Sequence, residues 1–404
     1  MKVLVVATSR KTRGGITSVI KAHEMGEQWK HCHCKWIQTH RDGPALRKLL
    51  YFVIGLIEYI ILLPFYDIVH VHFSEPPSAI RKRIFVRLAK LMNKEVVIHF
   101  HSFSTETTIE GKYKKVYHDL FSMADCSIVL SNFWRKAVDE AFHDTAITRK
   151  VRVVYNPCMP IPDYNKVAVE NFTFANMVDG LPKRHIILYA GTVNDRKGYA
   201  DLLRAFAKTA QTHQDWMLLF AGNGEIDKGK QIAQELGIEK QVLWLGWVSG
   251  ADKDRAFKEA TMFCLPSYAE GFPMGVLDAW AYGLPVVTTP VGGIPDVAED
   301  GKNMLLFNPG DINGLASCLQ RLMDNSVLRR SISCESVKFA NGMFNINTCN
   351  QKIENIYNEL SLKYKTMITW ILEHIVYPLF TKYSGGGTTR LTIVCNCCKI
   401  MRFQ

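Results

Sequence analysis

EGFPMGVLDAWAYGLPVVTTPVGG, residues 270–293, passes from a turn through a helical pattern into a buried strand. Two acidic residues, Glu270 and Asp278, stand on either side of a turn that contains glycine and proline, and Gly283 ends the helical pattern. The turn offers backbone N–H groups and a helix N-terminus to an anion, and the two carboxylates can accept hydrogen bonds from hydroxyl groups. The stretch therefore indicates a ligand with both phosphate and sugar hydroxyls. The alternative is an ordinary helix N-terminus with a glycine stop.

Apolar, β-branched runs alternate with longer helical patterns in both halves of the chain. Such runs indicate parallel sheets covered on both faces. The predicted strands are 3–7, 68–72, 96–99, 126–130 and 151–155 in the first half, and 186–190, 216–221, 242–245, 262–265 and 286–289 in the second. We predict an α/β protein with two doubly wound, Rossmann-like domains that face a central cleft, with ligands at the carboxyl ends of the strands.

The chain has 404 residues, which is too long for one typical domain. Prolines break the periodicity between residues 156 and 183, and this stretch is the predicted interdomain linker. The expected units are a first domain over 1–165, a second over 166–347 and a helical segment over 348–380. The tail, 384–404, has no fold pattern, and a flexible end is predicted there.

Composition describes a globular protein, with 48% hydrophobic and 22% charged residues. The 11 cysteines are mostly scattered, and the Cys-x-Cys pairs lack the spacing of a zinc site. The apolar run near the N-terminus is too short for the core of a signal peptide. We expect reduced cysteines in a cytoplasmic protein.

Positive charge is concentrated in the first half. Of the net charge of +11, residues 1–165 contribute 24 Lys/Arg minus 15 Asp/Glu, or +9. A basic first domain indicates anionic partners such as phosphates or acidic lipid. Nucleic acid is not expected, because no base-reading or RNA-stacking motif accompanies the charge.

The acidic pair Glu270 and Asp278 resembles the acidic-x7-acidic motif of retaining glycosyltransferases of family 4 (glycosyl transferases group 1), which have the GT-B fold. The family usually has two glutamates, and Asp278 is one methylene shorter. The resemblance covers about residues 1–375 and implies that the segment 348–380 crosses back onto the first domain. It also implies transfer of a sugar from a UDP- or GDP-linked donor to a glycan or lipid-linked acceptor, in cell-surface polysaccharide synthesis.

A second match is GTVNDRKG, residues 191–198, directly after a predicted strand. The family pattern is Gly-Arg-x-x-x-x-Lys-Gly, with both cations against the donor diphosphate. Lys197 aligns with the family lysine, whereas Thr192 stands at the arginine position. Arg196 is the candidate substitute, and a solvated pair of loop cations is the alternative.

The resemblance places further residues around the donor. Gly14 and Gly15 approach the diphosphate, the backbone near Val248 contacts the base, and the carboxylate of Asp278 binds the ribose. The complete expected donor set is Gly14, Gly15, Thr192, Arg196, Lys197, Gly222, Val248, Glu270, Met274, Gly275, Val276 and Asp278.

The resemblance also implies a catalytic histidine on the first domain. In HFHS, residues 99–102, His101 falls at the strand end on the cleft side, where family members place a histidine near the transferred sugar and the acceptor. His101, Lys197 and Glu270 are thus the expected catalytic residues. His99 suits a buried position, and His70 and His72 are candidates for packing or the acceptor pocket. No metal or other cofactor is expected, because cationic side chains and helix dipoles replace a metal at the diphosphate.

The most apolar run, residues 49–66, is followed by a basic helical pattern. A spanning helix at 49–66 would split the first domain across the bilayer, so a buried or interfacial helix is predicted. The next helix has a basic amphipathic pattern able to lie on anionic lipid, which favours a location on the inner face of the membrane. A solvated surface helix is the alternative. Its cations are Arg81, Lys82, Arg83, Arg87 and Lys90.

Two other functions stay open on the same fold. Thr192 and Asp278 depart from the family pattern, which allows a non-catalytic partner protein that keeps the fold without turnover. A nucleotide-sugar epimerase would convert a donor without any acceptor.

Overall fold

A computed structural model describes residues 1–159, 161, 185–371, 391–395 and 398–403. Most of the predicted linker, 156–183, lies outside the described residues. The last part of the predicted helical segment, 372–380, also lies outside them.

The first domain contains a parallel sheet of six strands in the order β2-β1-β3-β4-β5-β6. Alternate residues of β1 face opposite layers: Val3 and Val5 pack toward α1 and α14, whereas Leu4 and Val6 pack on the other face of the sheet. The strands are β1 Val3–Ala7, β2 Lys35–Gln38, β3 Ile68–Phe73, β4 Glu95–Phe100, β5 Cys126–Val129 and β6 Val151–Val153. The helices are α1 Gly15–Met25, α2 Glu27–His31, α3 Ala45–Leu62, α4 Pro76–Leu91, α5 Lys114–Met123, α6 Asn132–Phe142 and α7 Thr145–Thr148.

The second domain contains another parallel sheet of six strands, in the order β12-β11-β10-β7-β8-β9. The strands are β7 His185–Ala190, β8 Trp216–Ala221, β9 Val242–Gly246, β10 Met262–Leu265, β11 Val286–Thr288 and β12 Leu305–Leu306. The helices that follow are α8 Tyr199–Ala210, α9 Ile226–Glu235, α10 Ala251–Glu259, α11 Met274–Ala281, α12 Ile312–Asp324, α13 Ser326–Asn341 and α14 Ile346–Ile371.

The predicted fold class is confirmed, and each of the ten predicted strands is present to within two residues at either end. Sequence reasoning missed β2 and β12. β2 has only Trp36 and Ile37 as a buried apolar pair, and β12 has two residues. Neither is long enough to show a strand periodicity of its own.

The strand orders fix where ligands can enter. In the first sheet, β2 lies on one side of β1, and β3 and the later strands lie on the other side. In the second sheet the corresponding reversal lies between β7 and β10. Ligands of open α/β sheets bind at these reversals, outside the carboxyl ends of the strands. The loops after β1, β3, β7 and β10 therefore border the two halves of the site.

Helix α14 packs against the first domain although it follows the second. Ile353 and Tyr357 join the core of the first sheet. Asn350 Oδ1 lies 2.6 Å from His23 Nδ1 of α1, and Glu354 Oε1 lies 3.2 Å from His31 Nδ1. The chain thus returns to its starting domain through a helix held by both apolar and polar contacts.

The end of the chain differs from the predicted flexible tail. Residues Leu391–Cys395 (β13) and Cys398–Phe403 (β14) form an antiparallel pair. The physical reason lies in the sequence, because LTIVC and CKIMRF are rich in β-branched and other strand-forming residues. The prediction was therefore wrong for these residues.

Helix α3 is apolar but mostly exposed. Only Gly55 and Tyr59 are buried: a Cβ on Gly55 would meet the Gln38 carbonyl oxygen, and the Tyr59 hydroxyl donates to the Phe85 carbonyl at 2.7 Å. Among the described residues, the segment Ala45–Phe65 is long and apolar enough to cross a membrane, by length and composition alone. The fold instead uses α3 as the crossover between two strands of one sheet. The expectation of a buried helix was wrong, whereas an interfacial helix stays a prediction.

The five cations of α4 do not form one exposed surface. Lys82 is buried and its Nζ donates to Thr39 Oγ1, so its predicted contact with lipid is wrong. The physical reason is that Lys82 lies on the side of α4 that faces the sheet, so its amine reaches Thr39 at the end of β2. Burial holds the pKa of that amine well below its ordinary value. The other pairings are Arg83 with Asp119 at 3.2 Å, Arg87 with Asp119 at 3.8 Å and Lys90 with Asp125 at 2.8 Å.

Candidate active site

Glu270 lies at the centre of a charged cluster after β10. Its carboxylate is buried, and Oε1 accepts from Lys197 Nζ and from Ser267 Oγ, the latter at 2.7 Å. Arg196 Nη1 lies 3.6 Å from Oε2. Burial alone would raise the pKa of Glu270, but Lys197 and Arg196 outweigh it and the pKa is lowered. The carboxylate is therefore ionised near neutral pH.

Arg196 joins the two domains. Its Nη1 donates to the Ala269 carbonyl at 2.6 Å, while its guanidinium carbon lies 4.3 Å from the centre of the Phe103 ring. Phe103 is on the first domain, two residues after His101. A cation above an aromatic ring is attracted by the ring electrons. The residue expected to replace the family arginine thus also contacts the loop after β4 of the first domain.

Two glycines allow this close approach. A Cβ on Gly271 would collide with the Ser102 carbonyl oxygen, so the loop of Glu270 lies directly against the residue after His101. Gly292 has φ +59°, and a Cβ there would collide with the carbonyl oxygen of Glu270. Only glycine satisfies both the left-handed backbone and the contact.

Helix α11 begins at Met274 and faces the first domain. The N–H of Val276 bonds back to the Pro273 carbonyl at 3.0 Å, so Met274, Gly275 and Val276 form the first turn. The N–H groups of Met274 and Gly275, at the start of this turn, have no acceptor further back in the helix, and such groups favour an anion. A Cβ on Gly15 would lie 3.5 Å from Met274 Cγ, which places the loop after β1 against this helix end. Gly14, the residue before Gly15, has φ +142°.

The remaining expected donor residues follow β7, β8 and β9. Thr192 is exposed, and its carbonyl accepts from the Tyr189 hydroxyl at 2.7 Å. Gly222 packs so closely on Gly191 that a Cβ would collide with the Gly191 carbonyl oxygen. Val248 is half-buried after β9. All three stand at the carboxyl edge of the second sheet.

Asp278 has a partner that sequence reasoning missed. It is buried on α11, and Lys253 Nζ of α10 lies 2.7 Å from its Oδ2. Burial raises the pKa of Asp278, and Lys253 opposes that rise in part. Lys253 stands 25 positions earlier, in a helix with no motif, so the sequence offered no signal for it.

His101 belongs to a group of five histidines on the first domain, called here the histidine cluster: His23, His70, His72, His99 and His101. His101 Nε2 lies 2.9 Å from His72 Nδ1, and its ring stacks on His99 at 4.2 Å between centres. Burial, with a smaller effect of His23, lowers the pKa of His101 to about 3. His101 is therefore neutral, and it is half-buried at the end of β4.

Contacts thus join the expected catalytic residues into one region. Lys197, Arg196 and Glu270 contact one another directly. The loop of His101 reaches them through the packing of Gly271 on Ser102. Asp278 lies one turn after Met274 on α11 and contacts Lys253. Ser267, Phe103 and Lys253 are the residues of this region that the sequence did not reveal.

Comparisons with known proteins find chains of similar sequence and similar fold. Residues 178–338 match the family model of glycosyl transferases group 1. The lipopolysaccharide 1,6-galactosyltransferase of Salmonella typhimurium is 31% identical over 189 residues, covering 44% of this chain and 47% of that protein. The phosphatidyl-myo-inositol mannosyltransferase of Mycobacterium tuberculosis is 27% identical over 271 residues, covering 65% and 66%. The chain spans about half to two-thirds of the length of these curated relatives.

Solved structures show the same fold. HepE from Anabaena, in complex with UDP-glucose, superimposes with a TM-score of 0.70 at 19% identity, covering 89% of this chain and 100% of that one. WaaG, a glycosyltransferase involved in lipopolysaccharide biosynthesis, gives a TM-score of 0.63 at 14% identity, covering 88% and 99%. The predicted GT-B fold is therefore confirmed, and residues 178–338 are similar to the glycosyl transferases of group 1.

Proposed function

We propose that the chain is a retaining glycosyltransferase of the hexosyltransferase type. It moves a sugar from a UDP- or GDP-linked donor to a glycan or lipid-linked acceptor, in cell-surface polysaccharide synthesis. The observation that carries the proposal is the cluster of Lys197, Arg196 and Glu270 at the strand reversal of the group 1 domain.

The cations and a helix end suit the donor diphosphate. Lys197 and Arg196 contact Glu270, which precedes the first turn of α11, and together they can stabilise the negative charge that grows on the leaving phosphate. This is the role a metal ion plays at other diphosphate sites, so we propose that the donor needs no metal here. Asp278, held at one oxygen by Lys253, is placed to accept from ribose hydroxyls.

The two catalytic side chains near the sugar differ in charge. Glu270 is ionised, so it accepts hydrogen bonds from sugar hydroxyls and orients the sugar. His101 is neutral, and its Nε2 is hydrogen-bonded to His72 Nδ1, so its Nδ1 is the nitrogen that can bond to the sugar or the acceptor. In this proposal the acceptor attacks on the face from which the phosphate leaves, and that phosphate takes the acceptor proton. No enzyme carboxylate acts as a nucleophile.

The relatives support the classes of donor and acceptor. Their names include transfer of galactose to lipopolysaccharide and of mannose to phosphatidyl-myo-inositol, and HepE was crystallised with UDP-glucose. HepE thus supports a nucleotide-sugar donor, and the two transferases support a glycan or lipid-linked acceptor.

The test is a donor screen on the full chain. UDP- and GDP-sugars are supplied with and without glycan and polyprenyl-linked acceptors, and nucleotide release and new glycoside are measured. Release that requires an acceptor supports transfer, and the anomeric signal of the product by NMR reports retention. Epimer formation without acceptor would identify an epimerase, and nucleotide binding without turnover would identify a non-catalytic partner protein.

We also propose that the protein is cytoplasmic and lies peripherally on the inner face of the membrane. The exposed side of α3 presents Ile54, Ile57 and Ile61 at 55%, 54% and 62% exposure. Helix α4 adds exposed apolar residues and half-exposed arginines beside it. An apolar helix face flanked by cations suits the boundary between lipid headgroups and acyl chains.

Vesicle sedimentation tests this location. Binding is expected to anionic vesicles and to fall with salt, and Ile54→Ser with Ile57→Ser and Ile61→Ser should abolish it. Equal binding to neutral and anionic vesicles, or none to either, would contradict the proposal. Binding of an acidic soluble glycan by the same face is the rival outcome.

A further inference from the structure

The histidine cluster is built by the sheet itself. β3 and β4 pair in parallel with His72 opposite His99, and residues two apart on a strand share a face. His70, His72, His99 and His101 therefore project from one face of the sheet. The helices α1 and α14 cover that face, α1 through His23 and α14 through Tyr357.

The cluster holds buried ring nitrogens that make no hydrogen bond. They are Nε2 of His23, His70 and His72, and both nitrogens of His99. Buried polar atoms almost always have a partner, and a concentration of exceptions needs an explanation. The functional role proposed for His101 does not supply one, because it concerns the strand end at the cleft.

Hydrogen bonds at Nδ1 orient the rings of His70 and His72. The Tyr357 hydroxyl lies 2.6 Å from His70 Nδ1, and His101 Nε2 lies 2.9 Å from His72 Nδ1. Both bonds occupy Nδ1 and leave Nε2 toward the interior of the cluster. Metal-binding histidines are held in this way, with one ring nitrogen on a neighbouring group and the other on the ion.

We propose that His70, His72 and His99 bind one divalent metal ion of the zinc class. One nitrogen from each lies within 4.8 Å of the other two. Tetrahedral coordination at about 2.1 Å puts ligand nitrogens about 3.4 Å apart, so ring movements of about 1 Å close the site. Imidazole nitrogens without nearby carboxylates suit Zn²⁺ rather than Mg²⁺ or Ca²⁺. His23, whose ring centre lies 6.2 Å from that of His99, offers the next free nitrogen as a fourth ligand.

This ion is separate from the donor site and does not depend on the proposed function. It has a consequence for His101. With His72 Nε2 on the ion, His72 Nδ1 carries the proton and donates it to His101 Nε2. His101 then carries its own proton on Nδ1, so the ion sets which nitrogen of His101 donates and which accepts.

Metal content tests the proposal directly. The untagged full chain is incubated with Zn²⁺, dialysed and measured by inductively coupled plasma mass spectrometry, with Co²⁺ as the spectroscopic probe. We expect about one equivalent of zinc per chain and tetrahedral d–d absorption from bound Co²⁺. Less than about a tenth of an equivalent of either ion would overturn the proposal and assign the orphan nitrogens to ordered water.

Three variants locate the ion. His99→Leu should remove it, whereas His118→Leu, at an exposed histidine of α5, should leave the content unchanged. Tyr357→Phe keeps the ring in the core and should weaken zinc affinity about 10- to 100-fold, because only the hydrogen bond to His70 is lost. Zinc affinity unchanged in Tyr357→Phe, or zinc content unchanged in His99→Leu, would place the ion elsewhere. If His99→Leu fails to fold, Tyr357→Phe alone decides.

Discussion

The two halves of the cleft use opposite physical means at equivalent positions in their sheets. The second domain places charges at its strand reversal: Lys197 and Arg196 with the carboxylate of Glu270. The first domain places neutral imidazoles at the ends of two adjacent strands, with His72 on β3 beside the reversal and His101 after β4. In the proposed function, charge thus lies beside the leaving diphosphate and neutral hydrogen-bonding groups lie on the acceptor side.

Burial acts on both halves, and the presence or absence of a charged partner makes them differ. In the second domain the burial of Glu270 is outweighed by two cations, so its pKa is lowered. In the first domain the described surroundings of His101 supply no carboxylate contact, and burial lowers its pKa to about 3. The same desolvation therefore leaves one half charged and the other neutral at neutral pH. Removing a group should cost more on the charged side.

The largest effect is expected from the charged cluster. Lys197→Ala and Glu270→Ala should each lower turnover at least about 100-fold, because one lost electrostatic contact to a transition state has that value. Glu270→Gln keeps the shape of the side chain and should give a similar loss. Steady-state rates with the best donor and acceptor check this.

Lys302→Ala is the matched control for Lys197→Ala. Lys302 lies in the same domain, is exposed and pairs with Glu299 at 2.8 Å. It should leave the rate unchanged. A near-normal rate in a folded Lys197 or Glu270 variant would remove that residue from the site.

The next effect concerns nucleotide affinity. Asp278→Ala should weaken it by about 1–3 kcal/mol, the value of lost hydrogen bonds to a charged group, and Asp278→Glu should be tolerated. Isothermal calorimetry with the nucleotide measures both. Unchanged affinity in the alanine variant would refute the ribose role.

Asp278 also predicts a dependence on pH. Burial raises its pKa, so the folded chain binds this proton more tightly than the unfolded chain. This group therefore favours folding most on the acid side, and that contribution declines as pH rises through the raised pKa. Nucleotide affinity has the opposite trend, because the ionised form accepts from the ribose. It should fall as pH is lowered through the raised pKa, and Asp278→Asn should remove that component.

A smaller effect is expected on the neutral side. His101→Ala should lower turnover about 5-fold, because one neutral hydrogen bond contributes about 1 kcal/mol. Nucleotide affinity should not change, since His101 lies on the other domain. His101→Gln, which keeps a donor and an acceptor, should restore part of the rate. A loss of turnover as large as that of Lys197→Ala would contradict the difference between a charged and a neutral half of the cleft.

The sequence predicted what depends on local pattern. The strands, the turn before α11 and the placement of Lys197 and Glu270 at strand ends all follow from short motifs. The partner of Asp278 did not, because Lys253 reaches it only through the packing of α10 on α11. The burial of Lys82 did not either, since a basic helix pattern does not tell which side faces the sheet.

The histidines show the same limit. VHVH and HFHS each predict two residues on one face of a strand, but neither shows that the two strands are neighbours. The register of β3 with β4 sets His72 opposite His99 and makes one cluster of two pairs. Long-range pairing is therefore what the sequence could not supply here.

The smallest effect is expected from the arginines of α4, which lie outside both halves of the cleft. Each free surface cation near anionic lipid contributes about 1 kcal/mol, but Arg83 and Arg87 already share Asp119. Three independent cations would contribute about 3 kcal/mol, which is about 160-fold, and replacing Arg81, Arg83 and Arg87 by glutamine should therefore weaken binding to anionic vesicles by less than that factor. Lys82→Met is the control, because its amine is buried and should not change binding. Sedimentation at low and high salt measures the difference. A loss in the arginine variant as complete as that from Ile54→Ser, Ile57→Ser and Ile61→Ser would show that charge, rather than the apolar face of α3, holds the protein on the membrane.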